Sequence, residues 1–110
     1  MYNFGSIPFF ASNNNLIEKN PSGIPSCIYK PSLFGDAVVG SQLSVINGEW
    51  NGRPDNWRYS WYRGDELISQ FPEYLLTEDD LGEYIKCVVT AFNNVGNASA
   101  STRSALITAE

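Results

Sequence analysis

Residues 57–68 read WRYSWYRGDELI, and the alternation in this stretch decides the fold. Side chains along a β-strand point to opposite faces with a period of two, so Trp57, Tyr59 and Trp61 share one face and Arg58, Ser60 and Tyr62 the other. A row of aromatics on one face marks a strand half-buried against a core. The run then meets Arg63-Gly64-Asp65, where a glycine that tolerates positive φ stands beside a turn-capping aspartate, and Leu67-Ile68 opens a second strand. Arg-Gly-Asp is also a short adhesion signal in integrin ligands. Those ligands carry it at an exposed, extended loop tip, whereas here it abuts Tyr62 and an apolar pair, so it reads as a hairpin turn.

The same period returns twice elsewhere in the chain. QLSVI (42–46) sends Leu43 and Val45 one way and Gln42, Ser44 and Ile46 the other; EYIKCVVTAFN (83–93) sends Ile85, Cys87, Val89 and Ala91 one way and Tyr84, Lys86, Val88, Thr90 and Phe92 the other. Turn signals separate the runs at Asn47-Gly48, Asn51-Gly52 and 93–97, which predicts an all-β, antiparallel β-sandwich. Its expected core is Leu43, Val45, Tyr59, Trp61, Ile85, Cys87 and Val89. A single helical turn is predicted at Thr77-Glu78-Asp79-Asp80, where a Thr N-cap precedes an acid three residues on and Gly82 stops the turn.

Composition bounds the rest. At 110 residues, 43% of them hydrophobic and 14% aromatic, the chain has material for one packed domain and is too rich in it for disorder. Twelve acidic against seven scattered basic residues give a net charge of -5, which disfavours nucleic acid and anionic membrane surfaces as partners. The apolar runs are too short to span a bilayer, and MYNFGSIPFFASNNN lacks the basic start and sustained apolar stretch of a signal peptide, so export is not expected.

Two cysteines and no histidine supply neither a zinc ligand set nor an acyl-transfer base, and both thiols are expected to be reduced. No cofactor, metal or enzymatic activity is predicted. The acidic run 78–80 lacks the spaced oxygen ligands of a calcium loop, and Asn97-Ala98-Ser99, though it fits a glycosylation acceptor, reads as a polar loop.

Residues 1–32 differ in character. They hold Gly5, Pro8, Pro21, Gly23, Pro25 and Pro31 together with the apolar clusters IPFFA and CIY. Frequent Pro and Gly oppose a helix or central strand, while the apolar clusters call for cover. The expectation is an extended N-terminal arm that lies against a partner through Phe4, Ile7, Phe9, Phe10, Ile28 and Tyr29. A second candidate contact lies in the loop EWNGRPDNW (49–57). Trp50, Asn51, Asp55 and Trp57 could bind a glycan by stacking and hydrogen bonding; alternatively Trp50 closes the end of the core and Trp57 joins the aromatic row.

Linked motifs now carry a resemblance. Gly40-Ser41-Gln42-Leu43, Gly48-Glu49-Trp50, Tyr59-Ser60-Trp61 with its charged Gly turn, Leu76-Thr77 with Asp79-Asp80-Leu81-Gly82, and the closing Asn93–Ser99 stretch follow one another in order. In this, residues 35–108 resemble the immunoglobulin-like domains of bacterial surface proteins and tailed-bacteriophage virion proteins. The resemblance implies an immunoglobulin-like β-sandwich over 33–110, with Trp61 filling the space between sheets and Tyr84 placed as a corner tyrosine could be. It departs from the antibody pattern in having Lys86 where that pattern has cysteine, so stability must come from packing.

Two functions are implied. One is a non-enzymatic structural subunit of a phage virion, a capsid decoration (cement) or tail-associated protein assembled in the host bacterial cytoplasm. Its arm would hold the major capsid or another virion protein, and a homo-oligomer such as a trimer fits that setting. The other is a carbohydrate or cell-surface binding module that takes host-surface glycans at the Trp50–Trp57 loop. The two are compatible on one particle.

Overall fold

The fold is given by a computed structural model that describes residues 23–110; Phe4, Ile7, Phe9 and Phe10 lie outside the described residues. The strands are β1 (Ser26–Tyr29), β2 (Ser32–Phe34), β3 (Gln42–Ile46), β4 (Glu49–Asn51), β5 (Asn56–Arg63), β6 (Glu66–Ser69), β7 (Tyr74–Leu75), β8 (Tyr84–Phe92), β9 (Asn97–Ser101) and β10 (Ala105–Leu106). A 3-10 turn at Glu78–Asp80 stands where the Thr77 cap predicts one.

The architecture is all-β and sandwich-like. The largest sheet runs β9-β8-β5-β6, with β10 also on β8; β2-β3-β7 form a second sheet, and β1-β4 a two-stranded third. Strands β5 and β8 are the spine of the first sheet. They pair antiparallel from Asn56–Phe92 to Arg63–Ile85, which sets Trp61 opposite Cys87 and Tyr59 opposite Val89. Because register and pleat agree, one face of the pair is apolar up to its end, where Arg63, opposite Ile85, reaches the buried Asp80. Trp61, Ile85, Cys87, Val89 and Ala91 are fully buried, joined by Leu43, Leu76 and Ile107 from elsewhere; Val45, Tyr59 and Trp57 pack half-buried against them. Burying a side chain of this size stabilises by about 1.5–3 kcal/mol, so this one face supplies much of the driving force for folding.

Where β9 gives way to β10 the ladder continues through a side chain. Buried Thr102 accepts the Cys87 N–H on Oγ1 at 3.1 Å and donates the same hydroxyl to the Arg103 carbonyl at 2.8 Å. Its own N–H donates to the Cys87 carbonyl at 2.9 Å. A buried backbone group must find a partner, and Thr102 supplies one at the break.

Two findings differ from the expectations. Tyr84 does not turn in as a corner: it is 56% exposed, because the period of β8 buries Ile85 and Cys87 and sends Tyr84 outward. The stretch read as the end of the arm is folded from residue 23 on. Ser26 pairs with Asn51, Cys27 with Trp50 and Tyr29 with Glu49, which places Ile28 half-buried and Tyr29 exposed on a strand of the body. Pro25 and Pro31 are both buried and flank β1 without interrupting it, as prolines do at the ends of short peripheral strands. Glycine makes the approach feasible: at Gly52, with φ +88°, a Cβ would lie 2.8 Å from the Gly23 carbonyl oxygen.

Candidate functional site

The loop 51–56 and the turn 93–96 meet at one end of the molecule, and Asn93 fastens them to the incoming chain. Its Nδ2 donates to the carbonyls of Gly23 at 2.8 Å and Gly52 at 2.7 Å, while its Oδ1 accepts the N–H groups of Val95 and Gly96. Sequence reading saw only a turn-forming asparagine here. The partners are 70 and 41 residues away, so no local signal marks the role.

Beside this latch lies a shallow groove of about 440 Å³ lined by Asp55, Asn56, Trp57 and Arg58 on one side and Phe92, Asn93 and Asn94 on the other. The Arg58 guanidinium stands 5.3 Å from the centre of the Phe92 ring. Of the four residues expected to take a glycan, Asp55 and Trp57 reach this groove and two do not. Trp50 is buried, with its Nε1 donating to the Asn47 carbonyl at 2.7 Å and its ring edge-on to Trp57 at 5.9 Å. Asn51 turns toward β1 and donates to Ser26 Oγ at 3.1 Å. Trp50 therefore presents no face for a sugar, and the pair expected to bracket a binding loop forms a packed corner instead.

A second cluster was hidden inside the Arg-Gly-Asp turn. Arg63 donates from Nε to Asp80 Oδ1 at 2.9 Å and forms an ion pair with the same oxygen through Nη2, also at 2.9 Å. Asp80, fully buried, accepts further bonds from the Tyr74 hydroxyl at 2.9 Å and the Thr77 N–H at 2.8 Å. Tyr74 in turn stacks on Trp61 at 5.8 Å between ring centres, and Trp61 Nε1 donates to the Phe71 carbonyl at 2.8 Å.

Burial works to raise the Asp80 carboxyl, but the Thr77 N–H, the Tyr74 hydroxyl and Arg63 together outweigh it and hold the group below its ordinary value. Burial first, then the hydrogen bond to Asp80, pushes the Tyr74 hydroxyl up. This arrangement ties the hairpin to the 3-10 turn and to the central tryptophan. It also engages the arginine of the tripeptide, which the adhesion reading needs free.

Cys87 is buried and its thiol is pushed up to about 12 by that burial, so it behaves as a small apolar side chain. Both cysteines are free thiols. Among the described residues no three His, Cys, Asp or Glu side chains gather as a metal-holding group. The fold and these clusters define a small all-β domain with a saturated polar network in its core and a groove at the loop end. The chain matches no protein-family model, no curated protein and no solved structure.

Proposed function

We propose that the chain is an immunoglobulin-like structural subunit of a tailed-phage virion, a capsid decoration or tail-associated protein that works by binding rather than catalysis. Strand order supports the immunoglobulin-like assignment. Taking β2, β3, β5, β6, β7, β8 and β9 as A, B, C, C′, E, F and G gives one sheet in the order G-F-C-C′ and another in the order A-B-E, and the parallel bridge Val38–Thr108 brings the chain after A beside the chain after G. The observation that carries the functional reading is the position of the phage-type motif residues: Trp50, Trp61 and Asp80 are all spent on packing and internal bonds. The motifs thus build a scaffold, and contact with a partner falls to what the scaffold displays and to the N-terminal residues.

In this reading Phe9 and Phe10 anchor the subunit by ordering on a virion protein, exchanging chain entropy for apolar contact. The test is incorporation of tagged chain into particles. Phe9→Ala with Phe10→Ala should abolish incorporation and leave the circular dichroism of the body unchanged; full incorporation of that variant would end the anchoring idea.

The groove favours a second reading as a glycan site, because exposed Asp55, Asn56 and Asn94 surround the half-buried Trp57 and Phe92. Trp57→Ala should then lose glycan retention while incorporation persists. Trp50→Ala cannot serve for this purpose, since it opens the core.

A further inference from the structure

A cleft of about 360 Å³ lies between the β1–β2 link and the β9–β10 link, with Lys30 and Ser32 on one wall, Arg103 and Ser104 on the other, and Pro31, Leu33 and Ala105 beneath. Leu33 and Ala105 are half-buried against the core, so the floor is apolar and fixed. The wall carrying Arg103 is fixed too, because the preceding Thr102 is buried and its hydroxyl holds the Arg103 carbonyl at 2.8 Å.

Charge sets this cleft apart in a chain of net -5: two of its seven basic residues converge here. Both are exposed, and neither makes an ion pair among the described residues, where Arg63 takes Asp80 and Glu66. The backbone adds a third feature. Among the described residues β2 pairs only with β3 and β10 only with β8, so each strand has one side unpaired. An unpaired strand edge is a template for an added strand.

We propose that this cleft is the docking site for an extended acidic peptide segment of a partner protein, which adds along the open edge of β2 while its carboxylates meet Lys30 and Arg103. Main-chain bonds to β2 supply affinity, and alternate side chains of the segment enter over Leu33 and Ala105. The two cations select acidic side chains over neutral ones and steer the encounter. The site is built from residues 30–33 and 103–105 and holds whether or not the partner is a virion protein.

The test is an amide NMR titration of the full chain with three probes: a capped Val-Glu-Val-Glu-Val peptide, its glutamine counterpart, and octanoate. The acidic peptide should shift the amides of 30–34 and 103–106. The double variant Lys30→Ala with Arg103→Ala, both sites being exposed, should keep its spectrum and bind about tenfold more weakly, the sum of two exposed ion pairs. Added salt should weaken binding of the unmodified chain in the same way.

Equal shifts from the glutamine peptide would remove the role of charge and overturn the proposal. Shifts from octanoate alone would make the cleft a pocket for small amphiphiles. Absence of any shift, with self-association of the double variant, would leave the cations as guards of an open edge.

Discussion

Asp80 concentrates the electrostatics of the molecule on one buried carboxylate, and the sign of its shift decides how the fold responds to acid. Its folded value lies below the ordinary 3.8, so the stability it contributes is present above that value and is lost as pH falls through the folded one. Urea unfolding free energies should therefore fall steeply only below about pH 4. Asp80→Asn should flatten that acid limb and cost about 3 kcal/mol at neutral pH, because it leaves Arg63 facing an uncharged buried group. An unchanged acid limb in the variant would assign the effect to other carboxylates. The thiols give a second check at this scale. With Cys87 pushed up to about 12 by burial, a thiol reagent at neutral pH should label Cys27 first and reach Cys87 only on unfolding. The sequence marks Asp80 only as the acid three residues after the Thr77 cap. Its burial and its ion pair carry no local signal, because its arginine lies 17 residues earlier inside a tripeptide that suggests another role.

Strands were legible where one face is buried and the other wet. Ile85 to Ala91 on β8 alternate strictly and Trp57, Tyr59 and Trp61 on β5 share the inner face, since a slip of one residue would turn each row to solvent. Short peripheral strands carry no such signal. Strand β1 has four residues between two prolines, and what holds it is the approach of distant glycines rather than its own pattern. That difference can be measured by comparing two glycines of positive φ. At Gly52 an added Cβ meets the Gly23 carbonyl and Pro25 backbone at 2.8–3.0 Å, whereas at Gly64, φ +60°, nothing lies within 4 Å. Gly64→Ala should cost about 1 kcal/mol of left-handed strain and no more. Gly52→Ala should cost about 3 kcal/mol in urea unfolding, the strain plus a backbone collision that pushes β1 from β4. Equal costs at the two sites would mean that β1 does not depend on this approach. Trp50 misleads for a related reason: a tryptophan in an Asn-Gly loop resembles a sugar platform until its neighbours across the end of the core are known.

At the scale of the whole molecule the question is where the cooperative body begins. Composition changes near residue 33, because Pro thins out there, yet pairing begins at Ser26 and the latch reaches Gly23. If the body includes β1, the amides of 27–29 should exchange with solvent as slowly as those of 49–51, because the two strands protect each other. Asn93→Ala removes the bonds to Gly23 and Gly52 and the cap on the 93–96 turn. It should speed exchange at 24–29 about tenfold, the effect of lost hydrogen bonds at a partly buried site, and leave the β5–β8 spine as slow as before. Faster exchange everywhere would make Asn93 a determinant of global stability instead of a local fastener. If 26–29 already exchanges at free-chain rates in the unmodified protein while the spine is protected, β1 separates from the body at low cost. The anchoring segment would then run through residue 32, and Ile28 and Tyr29 would be free to join Phe9 and Phe10 on a partner.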